Sequence, residues 1–129
     1  MDYEHMNRVK FLLIYHIILV TKYRRKCLTS LQILETIKEI SLVSDFEIIT
    51  QEFEADHLHL MIRSTPKQST LSLIRRIKSM STIRSWKKFP EILRQFYWKE
   101  KTLWSDSYFV CTVGNASIST VEKYINEQG

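Results

Sequence analysis

His57 and His59 stand one residue apart in Asp56-His57-Leu58-His59-Leu60-Met61-Ile62, a stretch whose other positions read as a buried strand. A strand turns successive side chains to opposite faces, so the two imidazoles share one face while Leu58, Leu60 and Ile62 line the other. Two neutral imidazoles at that separation can converge on one metal ion, and the Asp56 carboxylate lies just ahead of them. The same pair also fits two polar residues on the wet face of an edge strand, so other parts of the chain must decide. Near the end, Tyr124 and Gln128 are four apart and project over the same surface of a short helix. Ser119 and Glu122 have capping-box spacing, and Ile118, Val121 and Ile125 mark one side of that helix. By itself Tyr124 fits an amphipathic anchor that holds the helix to the core.

The positive charge is segregated. Nineteen Lys and Arg against fourteen Asp and Glu give a net charge of +5, a modest excess. From Arg63 to Lys88, however, Arg63, Lys67, Arg75, Arg76, Lys78, Arg84, Lys87 and Lys88 follow one another with no acid between them. A second cluster, Lys22-Tyr23-Arg24-Arg25-Lys26, has an aromatic inside it. Such placement points to a polyanionic partner better than the total does. A solvated basic helix would show the same run.

The elements that must position these groups follow from periodicity. Phe11 to Thr21 is rich in branched and aromatic residues and reads as a buried strand. Ser30 caps a helix over about 31–43, in which Ile33, Leu34, Ile37 and Ile40 form an apolar stripe. Phe46 to Phe53 reads as a second strand, and Glu54-Ala55-Asp56 is a connection short enough to make a hairpin with a third strand, His57 to Arg63. Ser69 or Thr70 opens a helix to about Trp86, with Leu71, Ile74, Ile77 and Ser81 in its buried stripe and Leu73, Met80 and Ile83 flanking. Pro90 starts a short helical piece through Phe96. The aromatics Phe89, Phe96, Tyr97, Trp98 and Trp104 cover the sheet edge or pack a partner, and Ser107 to Val113 is a last strand. The order β, α, β, β, α, β predicts an α+β fold: a ferredoxin-like or RRM-like split βαβ antiparallel sheet with both helices on one face.

One domain of 129 residues with 44% hydrophobic content buries a core without staples. The sheet and helices span about 8–113 and the tyrosine helix about 117–128. Cys27 and Cys111 are too few and too far apart for a disulfide framework. The apolar run Phe11 to Val20 is too short to span a bilayer, and no secretory cleavage pattern precedes it. A reduced, cytoplasmic protein with no membrane partner, nucleoid-associated when bound to DNA, is expected.

Four stretches together resemble a known family. They are Val20-Thr21-Lys22-Tyr23-Arg24-Arg25, the His57/His59 pair, Leu103-Trp104-Ser105-Asp106-Ser107-Tyr108-Phe109, and Tyr124-Ile125-Asn126-Glu127-Gln128. Their order and spacing resemble the IS200/IS605-type single-tyrosine transposases of the HUH superfamily of single-strand nucleases, over nearly the full length. Asp106 stands where such proteins commonly carry a small residue or Pro. The resemblance implies that His57, His59 and Gln128 ligate Mg²⁺ or Mn²⁺, that Tyr124 on its C-terminal helix is the nucleophile, and that cleavage of single-stranded DNA leaves a 5′-phosphotyrosine. It implies hairpins at element ends as the DNA partner, with Lys22, Arg24, Arg25, Arg75, Arg76, Lys78 and Arg84 as DNA contacts. It also implies a homodimer, with the tyrosine helix placed in cis or in trans. A non-catalytic protein that binds single-stranded hairpins is the alternative. It would explain the basic tract and the sheet, but not the two histidines together with a terminal Tyr-x-x-x-Gln.

Overall fold

A strand of apolar and β-branched residues in the middle of a sheet must be covered on both flanks, and the first strand meets that condition. In the computed structural model, which describes residues 13–29, 31–42, 45–64 and 68–112, β1 (Leu13–Thr21) runs between β3 (His57–Ser64) and β4 (Trp104–Thr112). The remaining strand, β2 (Glu47–Phe53), pairs with β3, and the order is β2-β3-β1-β4 with every pair antiparallel. The helices are α1 (Leu31–Leu42), α2 (Thr70–Lys88) and the single turn α3 (Pro90–Leu93). This is the split βαβ arrangement that the element order predicts. The expected hairpin is present: Glu54 N donates to His57 O at 2.9 Å across the connection. The Ser30 cap and the predicted tyrosine helix with Tyr124 and Gln128 lie outside the described residues.

Strand parity separates the two faces of the sheet. Leu58, Leu60 and Ile62 are buried to 1% or less and share one core with Ile17, Leu19, Ile37, Ile40, Leu73, Ile74 and Ile77. Both long helices therefore cover the leucine face of β3. Each fully buried Leu or Ile there is worth about 1.5–3 kcal/mol relative to exposure. The histidines take the other face.

Two details depart from the sequence expectation. Leu71 and Ile83 were assigned to the buried side of α2, yet they are 43% and 64% exposed, while Leu73, Ile74, Ile77, Ser81, Ser85 and Trp86 are buried. The contact row includes Ser81, as expected, and adds Ser85, a small polar residue that a count of apolar residues does not find. Ser81 Oγ donates back to Ile77 O at 2.6 Å and accepts from Trp104 Nε1 at 2.7 Å. The second departure follows from the first. Trp104 begins β4 three residues earlier than Ser107 and is buried against α2, so it neither covers an edge nor packs a partner.

Between Leu19 and Thr21 the β1–β4 register slips, because Leu19 faces Tyr108 and Thr21 faces Trp104. Ser105, Asp106 and Ser107 bulge opposite Val20. Bulges leave backbone groups unpaired, and here Lys78 Nζ donates to Ser105 O at 2.7 Å and reaches Ser107 O at 3.5 Å. Ser105 Oγ accepts from Ser107 N at 3.3 Å. The Trp-Ser-Asp-Ser-Tyr-Phe stretch thus makes a buried anchor followed by a braced bulge.

Candidate active site

Parity and register together define the face that carries the histidines. His59 lies opposite Ile18 of β1 and Glu52 of β2, while Met61 lies opposite His16. Cys111 and Phe109 of β4 continue the same face across His16 and Ile18. The His57 and His59 rings are stacked, with centroids 4.8 Å apart and planes 26° from parallel. The His16 ring lies 6.1 Å from that of His59. His16 is not among the site residues that the sequence singles out. Its signal was its parity, opposite to that of Tyr15 and Ile17, which becomes informative once β1 is known to pair with β3.

Each imidazole is set differently. His57 Nδ1 bonds Asp56 Oδ1 at 2.8 Å. With the carboxylate accepting, the proton sits on Nδ1 and the lone pair of Nε2 is left for a ligand, the usual carboxylate–histidine–metal device. His59 Nε2 is buried and has no hydrogen-bond partner, as has His16 Nε2. Burial, and then the neighbouring His57 and His16 rings, hold His59 below the ordinary imidazole range. Burial likewise lowers His16, against an opposing pull from Glu52. Neutral rings with unsatisfied nitrogens suit a divalent cation. Among the described residues, however, no group of three or more His, Cys, Asp or Glu could hold a metal ion by itself. His57 and His59 therefore fit as two donors of a site that needs a third from elsewhere.

Asp56 joins this pair to the basic cluster. Its second oxygen, Oδ2, accepts from Arg24 Nε at 3.1 Å. Burial works against the charged carboxyl, but the bonds from His57 and Arg24 outweigh it and hold Asp56 below its usual range. Residues Lys22–Arg24 form a 3-10 turn in which Tyr23 and Arg24 take φ of 59° and 52°. Left-handed backbone at bulky residues costs about 1–3 kcal/mol each and persists only where the surroundings impose it. Here Thr21 Oγ1 donates to Arg25 O at 2.7 Å, and Tyr97 Oη donates to Lys22 O at 2.8 Å.

The predicted DNA contacts fall into separate layers. Lys22, Arg24 and Arg25 cluster at the end of β1 beside Asp56, with Lys22 Nζ 3.0 Å from Glu100. Arg75 and Arg76 are exposed on α2, in the helix layer behind the sheet. Arg84 and Lys88 both pair with Glu39 of α1, at 3.5 and 2.7 Å. Lys78 is already engaged by the β4 bulge and lies 5.3 Å from the Tyr108 ring centroid. Its pKa is lowered by burial, with Asp106 opposing. The structure thus joins His57, Asp56 and Arg24 by hydrogen bonds, stacks His59 on His57, and sets Lys22 and Arg25 on either side of Arg24, whereas Arg84 and Lys88 are held at Glu39 of α1.

The chain matches the family described as IS200-like transposases over residues 9–128. It is similar to the ISDra2 transposase TnpA of Deinococcus radiodurans, 30% identical over 117 residues that cover 88% of this chain and 82% of that protein. A transposase for the insertion sequence element IS200 from Salmonella typhimurium is 26% identical over 117 residues, 88% of this chain and 75% of that one. A crystal structure assigned as a transposase of D. radiodurans R1 superposes with a TM-score of 0.75 at 29% identity, covering 92% of each chain. A REP-associated tyrosine transposase bound to a REP hairpin gives a TM-score of 0.59 at 16% identity, over 85% of this chain and 61% of that one, a likeness of fold alone.

Proposed function

Because the chain belongs to the IS200-like transposase family, we propose that it cleaves and rejoins single-stranded DNA at insertion-element ends, recognising hairpins and passing through a 5′-phosphotyrosine on Tyr124. The observation that carries this reading is the stacked His57/His59 pair, with one ring held in a ligating tautomer by Asp56. Bound by His57, His59 and Gln128, Mg²⁺ or Mn²⁺ would supply Lewis acidity at the scissile diester.

The chain's own residues supply the remaining chemistry. Tyr124 gives up its phenolic proton, which a phenol otherwise keeps near neutral pH, and its oxygen bonds to phosphorus as the bond to the 3′ oxygen breaks. The 5′-phosphotyrosine conserves the diester bond energy, and the free 3′-OH can reverse the step on the same or another strand. Three of the described tyrosines are poorly placed for this role. Tyr15 is buried opposite Ile62, Tyr97 is buried, and Tyr108 lies opposite Leu19 on the helix-covered side. Lys22, Arg24 and Arg25 hold backbone phosphates near the scissile bond, while Arg75, Arg76 and Arg84 take phosphates of a hairpin stem farther away.

The test is incubation of the protein with single-stranded element ends and Mn²⁺, followed by a denaturing gel. A covalent protein–DNA band is expected from the wild type and none from Tyr124→Phe, whose hairpin affinity stays near normal. Hairpin binding by the wild type without any band would support the non-catalytic alternative. The reading extends to a homodimer. Mixing Tyr124→Phe with a His57→Ala/His59→Ala protein restores cleavage if the tyrosine helix acts in trans, and leaves both inactive if it acts in cis.

A further inference from the structure

Beside the strained turn lies a cleft of about 310 Å³ lined by Tyr23, Arg25, Phe96, Tyr97, Trp98 and Glu100, among others. The large apolar side chains in a folded core are hidden, yet Tyr23 and Trp98 here are 66% and 63% exposed. The Arg25 guanidinium is close to both, its carbon 5.6 Å from the Tyr23 ring centroid and 5.0 Å from that of Trp98. Arg25 Nη1 donates to Phe96 O at 3.0 Å, which fixes the plane of the cation. Buried Tyr97 braces the floor through Lys22 O. The left-handed backbone of Tyr23 and Arg24 is what carries the Tyr23 ring out to this position. A stabilised core does not require two rings and a guanidinium held open in this way.

We propose that this cleft seats an unpaired nucleobase of the DNA strand adjoining the scissile phosphate, stacked against Trp98 and Tyr23 and beside Arg25. Flat aromatic faces next to a fixed cation are how sequence-tolerant sites hold single-stranded bases. The Glu100 carboxylate is offset by Lys22 at 3.0 Å, so the rim does not repel a polyanion. The placement also fits, because the turn carrying Tyr23 is tied through Arg24 and Asp56 to His57. The proposal rests on the transposase reading but specifies a site of its own.

Trp98 makes the test direct, because it is the exposed member of three tryptophans and Trp86 and Trp104 are buried. The protein is titrated with dT15, with an abasic oligonucleotide of the same length, and with dT15·dA15 duplex, following tryptophan emission and fluorescence anisotropy. Quenching by dT15 is expected, with little from the abasic strand or the duplex. Trp98→Phe should bind dT15 without that quenching. Tyr23→Ala and Trp98→Ala should each weaken dT15 binding roughly 10-fold, the effect of losing a stacked base, while leaving abasic binding unchanged. Both are surface substitutions, and circular dichroism checks the fold. Equal affinity for dT15 and the abasic strand, or equal quenching by duplex, would overturn the cleft while leaving cleavage at Tyr124 intact. Failure to bind any of the three would remove the cleft and the single-strand reading together.

Discussion

Asp56 makes two contacts with one carboxylate, orienting His57 through Oδ1 and holding Arg24 through Oδ2. Outer partners of this kind typically account for 10- to 100-fold in metal affinity. Asp56→Asn should therefore weaken Mn²⁺ binding by about that factor, measured by calorimetry on the DNA-free protein. The amide can present its NH₂ rather than its oxygen to Nδ1, which would favour the tautomer that turns the wrong nitrogen outward. Unchanged affinity would mean that His57 is held by other means. His16 and His59 carry a second consequence. Both have folded pKa values below the ordinary 6.5, so the unfolded chain takes up more protons than the folded one as pH falls. Metal-free stability should be full above about pH 6.5 and decline below it as the unfolded rings charge. Melting curves between about pH 7.5 and 5 check this, and His16→Phe should flatten the profile. Asp56 acts at lower pH: its contribution is present above the ordinary carboxylate range and is lost as pH falls through its depressed pKa.

At the scale of elements, the junction of α2 with β4 is held by one polar chain, from Trp104 Nε1 to Ser81 Oγ to Ile77 O. Ser81→Ala leaves a buried indole N–H without its acceptor, which costs about 1–3 kcal/mol. Chemical denaturation should show that loss with an unchanged m-value. The same junction explains what was legible in the sequence. Strand identities and the hairpin were readable because alternation in Leu58, Leu60 and Ile62 and the short Glu54–Asp56 link are local signals. The phase of α2 was legible only in part: Ser81 fell in its stripe, but Leu71 is exposed and Ser85 is buried, and the Trp104 indole that bonds Ser81 comes from a strand distant in sequence. The early start of β4 was hidden for a related reason: the bulge at Ser105–Ser107 breaks alternation, and its brace, Lys78, comes from another element. His57 and His59 were legible as a pair. The contributions of His16 and Asp56 depended on pairing between strands and on a side-chain bond that no spacing encodes.

For the molecule as a whole, the histidine face and the helix layer lie on opposite sides of one sheet, and the cations divide between them. A strand bound only at the end of β1 would engage Lys22, Arg24 and Arg25, whereas a hairpin that reaches α2 would add Arg75 and Arg76. Counterion release distinguishes these arrangements, at roughly 0.7 in the slope of log K against log salt per neutralised phosphate of a single strand. The figure is about 0.9 per phosphate of a duplex stem, so Arg75→Ala/Arg76→Ala should lower the slope for hairpin DNA by about 1.8, and leave the slope for a short unstructured oligonucleotide unchanged. An equal drop for both substrates would place the helix cations on the path of the cleaved strand. Among the described residues, no helix is long and apolar enough to cross a membrane.

The central place of β1 bears on how the chain reaches this state. Its partners at Ile17 are Leu60 on one side and Val110 on the other, so this apolar strand leaves the ribosome before either neighbour and must wait for both. Such non-local pairing delays loop closure and slows folding relative to helical proteins of similar size. During that interval the row Ile17, Ile18 and Leu19 presents unpaired backbone to any other nascent copy. Recoverable yield should then depend on dilution and on chaperone supply during synthesis more than on equilibrium stability.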